Sequence, residues 1–228
     1  MYLARNLEDA LENPLETGEL YLSGRGMTDF PMEVFHLPNL KILDLSQNLV
    51  RQLPEKIGEL EHLQVLNLRN NQLRHIPVEI GQLQQLQRLD LEENQLAALP
   101  TELTDCLLLR DMRLNDNSFA AFPDQAFHNQ LKNLTLGFNQ LTLVPESIRH
   151  LTALKYLDLR HNRLHKVPNA FALLENLETI LLKGNPLELA VNATDPEGLL
   201  ERFFRELKTG KSTKGQSKYS QRTRISWL

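Results

Sequence analysis

Cysteine is almost missing from this chain: one residue, Cys106, in 228. A single thiol closes no internal disulfide, whereas small secreted domains lean on several. The expected compartment is therefore a reducing one, the cytoplasm, with export by a specialised secretion machine left open as an alternative. No apolar run approaches the roughly 20 residues that span a bilayer. The opening stretch, Met1-Tyr2-Leu3-Ala4-Arg5-Asn6-Leu7-Glu8-Asp9-Ala10, carries acids where a Sec signal needs an unbroken apolar segment. Aromatics are scarce at 6%, and the net charge is only −4. That balance fits a soluble folded protein and gives no reason to expect a polyanion as partner.

What the chain has is one phrase, many times over. Leu86 to Pro100 reads Leu-Gln-Arg-Leu-Asp-Leu-Glu-Glu-Asn-Gln-Leu-Ala-Ala-Leu-Pro, with apolar residues at positions one, four, six and eleven, Asn at nine and a closing Leu-Pro. The Asn recurs at 48, 71, 94, 117, 139, 162 and 185, spaced by 23, 23, 23, 22, 23 and 23 residues. A fixed period of that length is the mark of a solenoid, and it overrides any domain count taken from length alone. Alternation at Leu43-x-Leu45, Leu66-x-Leu68, Leu89-x-Leu91, Met112-x-Leu114, Leu134-x-Leu136 and Leu157-x-Leu159 predicts a short strand per coil with one face inward. Each Asn follows its strand, where the chain turns and its peptide groups lose sheet partners. An amide can both donate to and accept from them, so the Asn column is read as structural.

Pairs such as Leu53-Pro54, Ile76-Pro77, Leu99-Pro100 and Val144-Pro145 open the outer segments, and proline suits a first helical position. Apolar residues then recur every third place, as in Pro54, Ile57, Leu60 and Leu63, which predicts a 3₁₀ turn or a short helix. The segment Pro123 to Leu131 is one residue short and carries its bulk at Phe127, so a local change of winding is expected over 123–131. Before the repeats, Leu3, Leu7, Ala10 and Leu11 have helical spacing, and a capping helix is predicted over residues 2–13. After them, Leu199, Leu200, Phe203, Phe204 and Leu207 predict a second cap, and the acid-free stretch from Lys208 reads as a basic tail that buries too little to fold alone. The expected layout is a helical cap over 1–16, repeats over 17–190, a capping helix over 191–208 and a flexible basic tail over 209–228.

The phrase Leu-x-x-Leu-x-Leu-x-x-Asn-x-Leu with its Leu-Pro closure resembles the leucine-rich repeat family over roughly residues 17–190. The resemblance implies an α/β, right-handed solenoid or horseshoe of about eight coils with a parallel concave sheet and helical caps at both ends. Leu-Pro-x-x-Ile-Gly-x-Leu, seen at 53–60 and 76–83, is similar to the intracellular 23-residue type of Ras-signalling scaffolds, plant proteins and many bacterial proteins. The leading acidic segment with Leu22-Ser23-Gly24 and Phe30-Pro31 resembles bacterial members. Gly184-Asn185-Pro186-Leu187 and Glu206-Leu207-Lys208-x-Gly210-Lys211 look like the junction at which Roco-type proteins pass into a GTPase domain.

Catalytic signals are weak. Gly210-Lys211-Ser212 matches the tail of a phosphate loop, but Arg205 stands where its first glycine belongs. The seven histidines are scattered, and His161 and His165 flank a turn, so no zinc site is predicted. Cys106 replaces a leucine of sister coils and reads as a small buried hydrophobe. Asn133-Leu134-Thr135 and Asn192-Ala193-Thr194 match the glycosylation triplet, which we read as chance. No enzyme activity, cofactor, membrane span or specific nucleic-acid partner is predicted, and the chain is expected to be a monomer.

Function is then expected from the concave face, as a protein-interaction module or signalling scaffold. Position five of the phrase offers Tyr21, Asp44, Asn67, Asp90, Arg113, Thr135, Asp158 and Leu181; position eight offers Gly24, Gln47, Asn70, Glu93, Asp116, Phe138, His161 and Gly184. Two neighbourhoods emerge. Asp90, Glu92, Glu93, Asp111 and Asp116 form an acidic middle broken by Arg88 and Arg113, while Phe138, Tyr156, Arg160 and His161 gather toward the carboxyl end with the composition of an interface hot spot. The partner-binding candidates are Asp90, Glu93, Arg113, Asp116, Phe138, Tyr156, Arg160 and His161. The rival readings are the recognition part of a larger signalling enzyme, a Roco-like GTPase or repeat-kinase, and a bacterial effector acting on host proteins.

Overall fold

The computed structural model describes residues 6–187, together with the backbone of residues 2–4 and 224–226. Eight short parallel strands alternate with 3₁₀ turns. They are β2 (Thr17–Tyr21), β3 (Ile42–Asp44), β4 (Val65–Asn67), β5 (Arg88–Asp90), β6 (Asp111–Arg113), β7 (Asn133–Thr135), β8 (Tyr156–Asp158) and β9 (Thr179–Leu181). Each strand pairs with the next in sequence, so one residue faces its equivalent one period on: Leu43 with Leu66, Leu66 with Leu89, Leu89 with Met112. Two further strands extend the sheet at its ends, β1 (Tyr2–Ala4) beside β2 and β10 (Arg224–Ser226) beside β9.

The inward strand residues Leu43, Leu66, Leu89, Leu134, Leu157 and Ile180 are fully buried, as are their neighbours Leu45, Leu68, Leu91, Leu114, Leu136 and Leu159. Stacking therefore merges what each coil could not bury alone into one continuous core. The Asn column ties the coils together. In Asn94, Oδ1 accepts from the Leu73 N–H of the preceding coil (3.0 Å), while Nδ2 donates to Leu68 O (2.9 Å) and Leu91 O (3.1 Å). Asn71, Asn117, Asn139 and Asn162 repeat that pattern, and Asn185 closes it on the last coil through Leu164 N–H and Leu159 O.

The outer segments are 3₁₀ turns, as the three-residue spacing predicts: Met32–His36, Glu55–Glu59, Val78–Gln82, Thr101–Asp105, Asp124–Ala126, Glu146–His150 and Asn169–Leu173. The prolines sit one place earlier than expected. Pro54 has extended ψ (149°) and precedes the turn, and its carbonyl accepts from Ile57 N–H at 3.0 Å. The short segment does alter the winding: its turn is cut to Asp124–Ala126, Pro123 leaves the extended region (ψ 54°), and Phe127 packs edge-on against Phe122 at 5.6 Å.

At the amino end the helix is shorter than predicted. Tyr2–Ala4 is strand, and the helix α1 (Leu7–Glu12) begins only after Asn6, whose side chain accepts from Asp9 N–H (2.7 Å). An N-cap of this kind fixes the helix start, which leaves the preceding residues free to join the sheet edge. Ala10 is fully buried, and the buried Thr17 hydroxyl donates to Ala10 O (3.2 Å). The second cap, expected over 191–208, and the Gly210-Lys211-Ser212 triplet lie outside the described residues. Within the segment read as a basic tail, Arg224–Ser226 pairs in parallel with β9. Among the described residues no helix is long and apolar enough to cross a membrane, and no group of three or more His, Cys, Asp or Glu could hold a metal ion.

Candidate functional site: the concave face of the sheet

Positions three, five and seven of each phrase decorate the open face of the sheet. Equivalent residues stand side by side on successive coils, and this proximity organises the charges. The acidic middle is a ladder of ion pairs rather than a pool of negative charge. Arg69 meets Glu92 (3.3 Å) and Glu93; Arg88 meets Asp111 (3.1 Å); Arg113 reaches Asp90 and Asp111, both at 3.5 Å; Arg160 grips Asp158 through Nε and Nη2 (2.7 Å for the latter). Arg69, Arg88, Glu92, Asp111 and Asp158 thus belong to the site beside the predicted Asp90, Glu93, Arg113 and Arg160. The signal was available: each of Arg69/Glu92, Arg88/Asp111 and Asp90/Arg113 shares a phrase position and differs by 23 in number.

Burial decides how these acids behave. Asp90 is 6% exposed and Asp158 1%. Loss of solvent pushes the Asp90 carboxyl above its usual range, against the pull of the Glu92 N–H and of Arg113. Burial, with Asp90 next to it, pushes Glu92 up as well. Burial and the nearby Glu93 raise Asp116, which is exposed at the rim. Glu93 goes the other way, lowered by hydrogen bonds from Asn70 (2.6 Å) and Arg69. Arg160 is held charged chiefly by its bonds to Asp158.

Next to Gly137 the face is hollow. Every other coil presents a side chain at this position: Ser23, Ser46, Arg69, Glu92, Asn115, Arg160 and Lys183. The depression is about 310 Å³, with Asp111 and Arg113 on one side, Tyr156, Asp158 and Arg160 on the other, and Glu92, Asn115, Asn133 and Thr135 completing it. Its floor is cross-linked. Glu92 reaches over its neighbour to accept from Asn115 Nδ2 (2.8 Å) and from the Thr135 hydroxyl two coils away (3.2 Å), and Gly137 N–H donates to Asn115 Oδ1 (2.6 Å). A larger depression on the opposite side, about 580 Å³, is a groove between two neighbouring outer turns and includes Glu79, Glu102 and Leu107.

Position eight lies past the strand, in a left-handed turn rather than on the flat of the sheet. Gln47, Asn70, Glu93, Asp116, Phe138 and His161 all have φ between 50° and 57°, and Gly24 and Gly184 have φ of 68° and 75°. Asn, Asp and His take this conformation readily, but Phe does not. Phe138 nonetheless occupies it with 44% of its surface exposed, and its ring stacks on His161 at 4.4 Å and 17°. The structure thus brings Phe138 and His161 together at the rim and sets Tyr156 and Arg160 in the hollow below. Cys106 is fully buried, its thiol directed at Ile80 O (3.3 Å) and pushed by burial up to about 12.

Comparison with known proteins bears on the architecture. A family model described as a leucine-rich repeat region matches residues 20–136, more than half of the chain, and a second described as leucine rich repeat matches residues 129–187. The chain belongs to the leucine-rich repeat family. A solved leucine-rich-repeat protein of Leptospira interrogans is similar to this leucine-rich repeat chain at TM-score 0.52 and 23% identity, over 81% of this chain and 77% of that one. At that identity the likeness speaks for the fold. A search of curated proteins found no significant match. Leucine-rich repeats are generally protein-interaction modules and typically non-catalytic, and only repeats are detected here.

Proposed function

We propose that this leucine-rich repeat chain is a protein-binding scaffold of the intracellular bacterial type, working in the cytoplasm, and that it takes its partner on the concave face at Phe138, Tyr156, Arg160 and His161, with Asp90, Glu93, Arg113 and Asp116 alongside. The observation that carries this reading is Phe138. A bulky ring held in the left-handed region, with nearly half of its surface open, adds backbone strain and gains little burial in return. A residue with that balance is explained by what it touches in a complex, and an exposed aromatic beside an arginine is the composition of a hot spot. The single, buried and unreactive Cys106 supports a reducing compartment.

The test is a crosslinking pull-down with the wild-type chain and Phe138→Ala. Loss of the captured partner in the variant, at unchanged melting temperature, is the expected result. Equal recovery with both chains removes Phe138 from the interface.

A further inference from the structure

We propose that the hollow beside Gly137 is the seat of one basic side chain, Lys or Arg, from the protein partner, and that Gly137 determines this specificity by leaving the seat open. The inference rests on the concave-face reading and adds the chemistry of what docks there.

Size comes first. The hollow, about 310 Å³, is at the small end for a ligand pocket. That volume suits one side chain better than a cofactor. One edge of it is left open by a missing side chain. Gly137 adjoins the depression: a Cβ there would stand 3.0 Å from Asn115 Oδ1, 3.2 Å from Asp158 Oδ1 and 3.4 Å from Arg160 O, all three lining residues, so a longer side chain would crowd it.

Charge decides the sign. Arg160 is spent on Asp158, bonded through Nε and Nη2, and Arg113 lies between Asp90 and Asp111. Arg88 also leans on Asp111, and Arg69 divides itself between Glu92 and Glu93. The connected carboxylates are Asp90, Glu92, Glu93, Asp111 and Asp158 against the guanidinium groups of Arg69, Arg88, Arg113 and Arg160, which leaves the ladder one negative charge in surplus. Glu92 is weakly compensated at the floor: its Oε1 takes two neutral donors, Asn115 and Thr135, its ion pair is with an Arg69 that it shares with Glu93, and Arg113 acts on it only at longer range. An ammonium or guanidinium entering from above would find Glu92 and Asp111 as carboxylate partners and Tyr156 as an aromatic wall. An anion would meet three carboxylates, Glu92, Asp111 and Asp158, and two guanidinium groups, Arg113 and Arg160, that acids of the ladder already engage.

The seat can be tested without the partner. The 228-residue chain, labelled with ¹⁵N, is titrated with N-acetyl-arginine amide, N-acetyl-lysine amide and, as the anionic control, N-acetyl-glutamate amide. The expected result is a saturable shift of the Asn115, Thr135 and Gly137 amide signals with the two cationic probes, at about millimolar concentration. Gly137→Gln, which crowds the hollow, and Glu92→Gln, which removes its charge, should each weaken this binding by about tenfold, the loss expected for one charge-assisted contact. If Gly137→Gln does not fold, Tyr156→Leu takes its place and should weaken binding in the same way. Absence of a saturable shift in the wild type, a stronger response to the glutamate probe, or unchanged affinity in the variants overturns the proposal. A positive titration beside a failed pull-down removes the partner reading and keeps the cation seat; the converse removes the seat and keeps the reading.

Discussion

The imidazole of His161 lies directly over Gly184: a Cβ placed on Gly184 would stand 2.5 Å from His161 Nδ1. With Phe138 of the preceding coil stacked on the same imidazole, three successive coils put ring, ring and bare backbone in one column. Gly184 also has positive φ. That conformation costs a residue with a side chain about 1–2 kcal/mol. Gly184→Ala should therefore destabilise by about that amount and push the His161 ring away from its place. Chemical denaturation measures the first effect, and the ring-current shifts of the Phe138 and His161 signals measure the second. Wild-type values for both would refute the packing described.

The core makes a sharper demand. Leu89 is fully buried between Leu66 and Met112. Leu89→Ala should cost about 2–5 kcal/mol. Asn94→Ala acts through hydrogen bonds instead. It orphans the buried Leu73 N–H and takes one of two amide donors from each of the Leu68 and Leu91 carbonyls, which keep Asn71 and Asn117. Each buried group left unpaired costs about 1–3 kcal/mol. Urea denaturation should rank both variants well below wild type; a near-neutral Asn94→Ala would mean that the amide is replaceable by water.

Much of this was legible because a period is easy to read. The buried leucines, the Asn column, the outer 3₁₀ turns and the disturbed winding at 123–131 each follow from residue type and spacing. The start of α1 was misplaced because Leu3 fits a helical spacing that the Asn6 cap interrupts, and the edge of a sheet offers the preceding residues hydrogen bonds no helix needs to supply. At the concave face, Phe138, Tyr156, Arg160 and His161 stand out by composition, but the conformation of position eight does not. At position eight glycine marks the left-handed turn at Gly24 and Gly184 only, while the six coils between them use other residues. The hollow was the hardest feature to see, since it adjoins an absent side chain, at Gly137, and has a floor tied by Glu92 reaching Thr135 across an intervening coil.

Protonation should relieve the middle of the ladder. Asp90 has its carboxyl raised by burial, so its charged form is disfavoured in the folded chain relative to the unfolded one. The resulting penalty is present at neutral pH and disappears as pH falls through the raised folded value toward the unfolded one near about 4. Asp90→Asn keeps an oxygen for the Glu92 N–H and removes the penalty. Its stability at neutral pH should stay within about 1 kcal/mol of wild type, and its pH dependence on the acid side, above the ordinary carboxylate range, should lack Asp90's share. A loss well beyond that at neutral pH would show that the contact with Arg113 outweighs desolvation. Glu93 has the opposite sign: lowered by Asn70 and Arg69, its contribution is lost as pH falls through its depressed folded value.

Cys106 offers a clean probe of global unfolding. Its thiol is inaccessible and pushed up to about 12, so the reactive thiolate is scarce in the native chain under mildly alkaline conditions. Iodoacetamide should label it at the rate at which the fold opens, and at once in urea. Fast labelling under native conditions would place the coil at Thr101–Leu109 among the easily opened parts of the stack.

Phe138 separates stability from function. Asn enters the left-handed region readily, as the equivalent Asn70 already does. Phe138→Asn should therefore relieve backbone strain of about 1 kcal/mol. The lost stacking on His161 offsets part of that gain. The expected variant is as stable as wild type or slightly more so, yet poorer at capturing the partner. That combination distinguishes a residue retained for an interface from one retained for the fold. A clear drop in melting temperature with undiminished capture would assign Phe138 to the scaffold and leave Tyr156 and Arg160, together with the hollow they border, as the part of the concave face that makes contact.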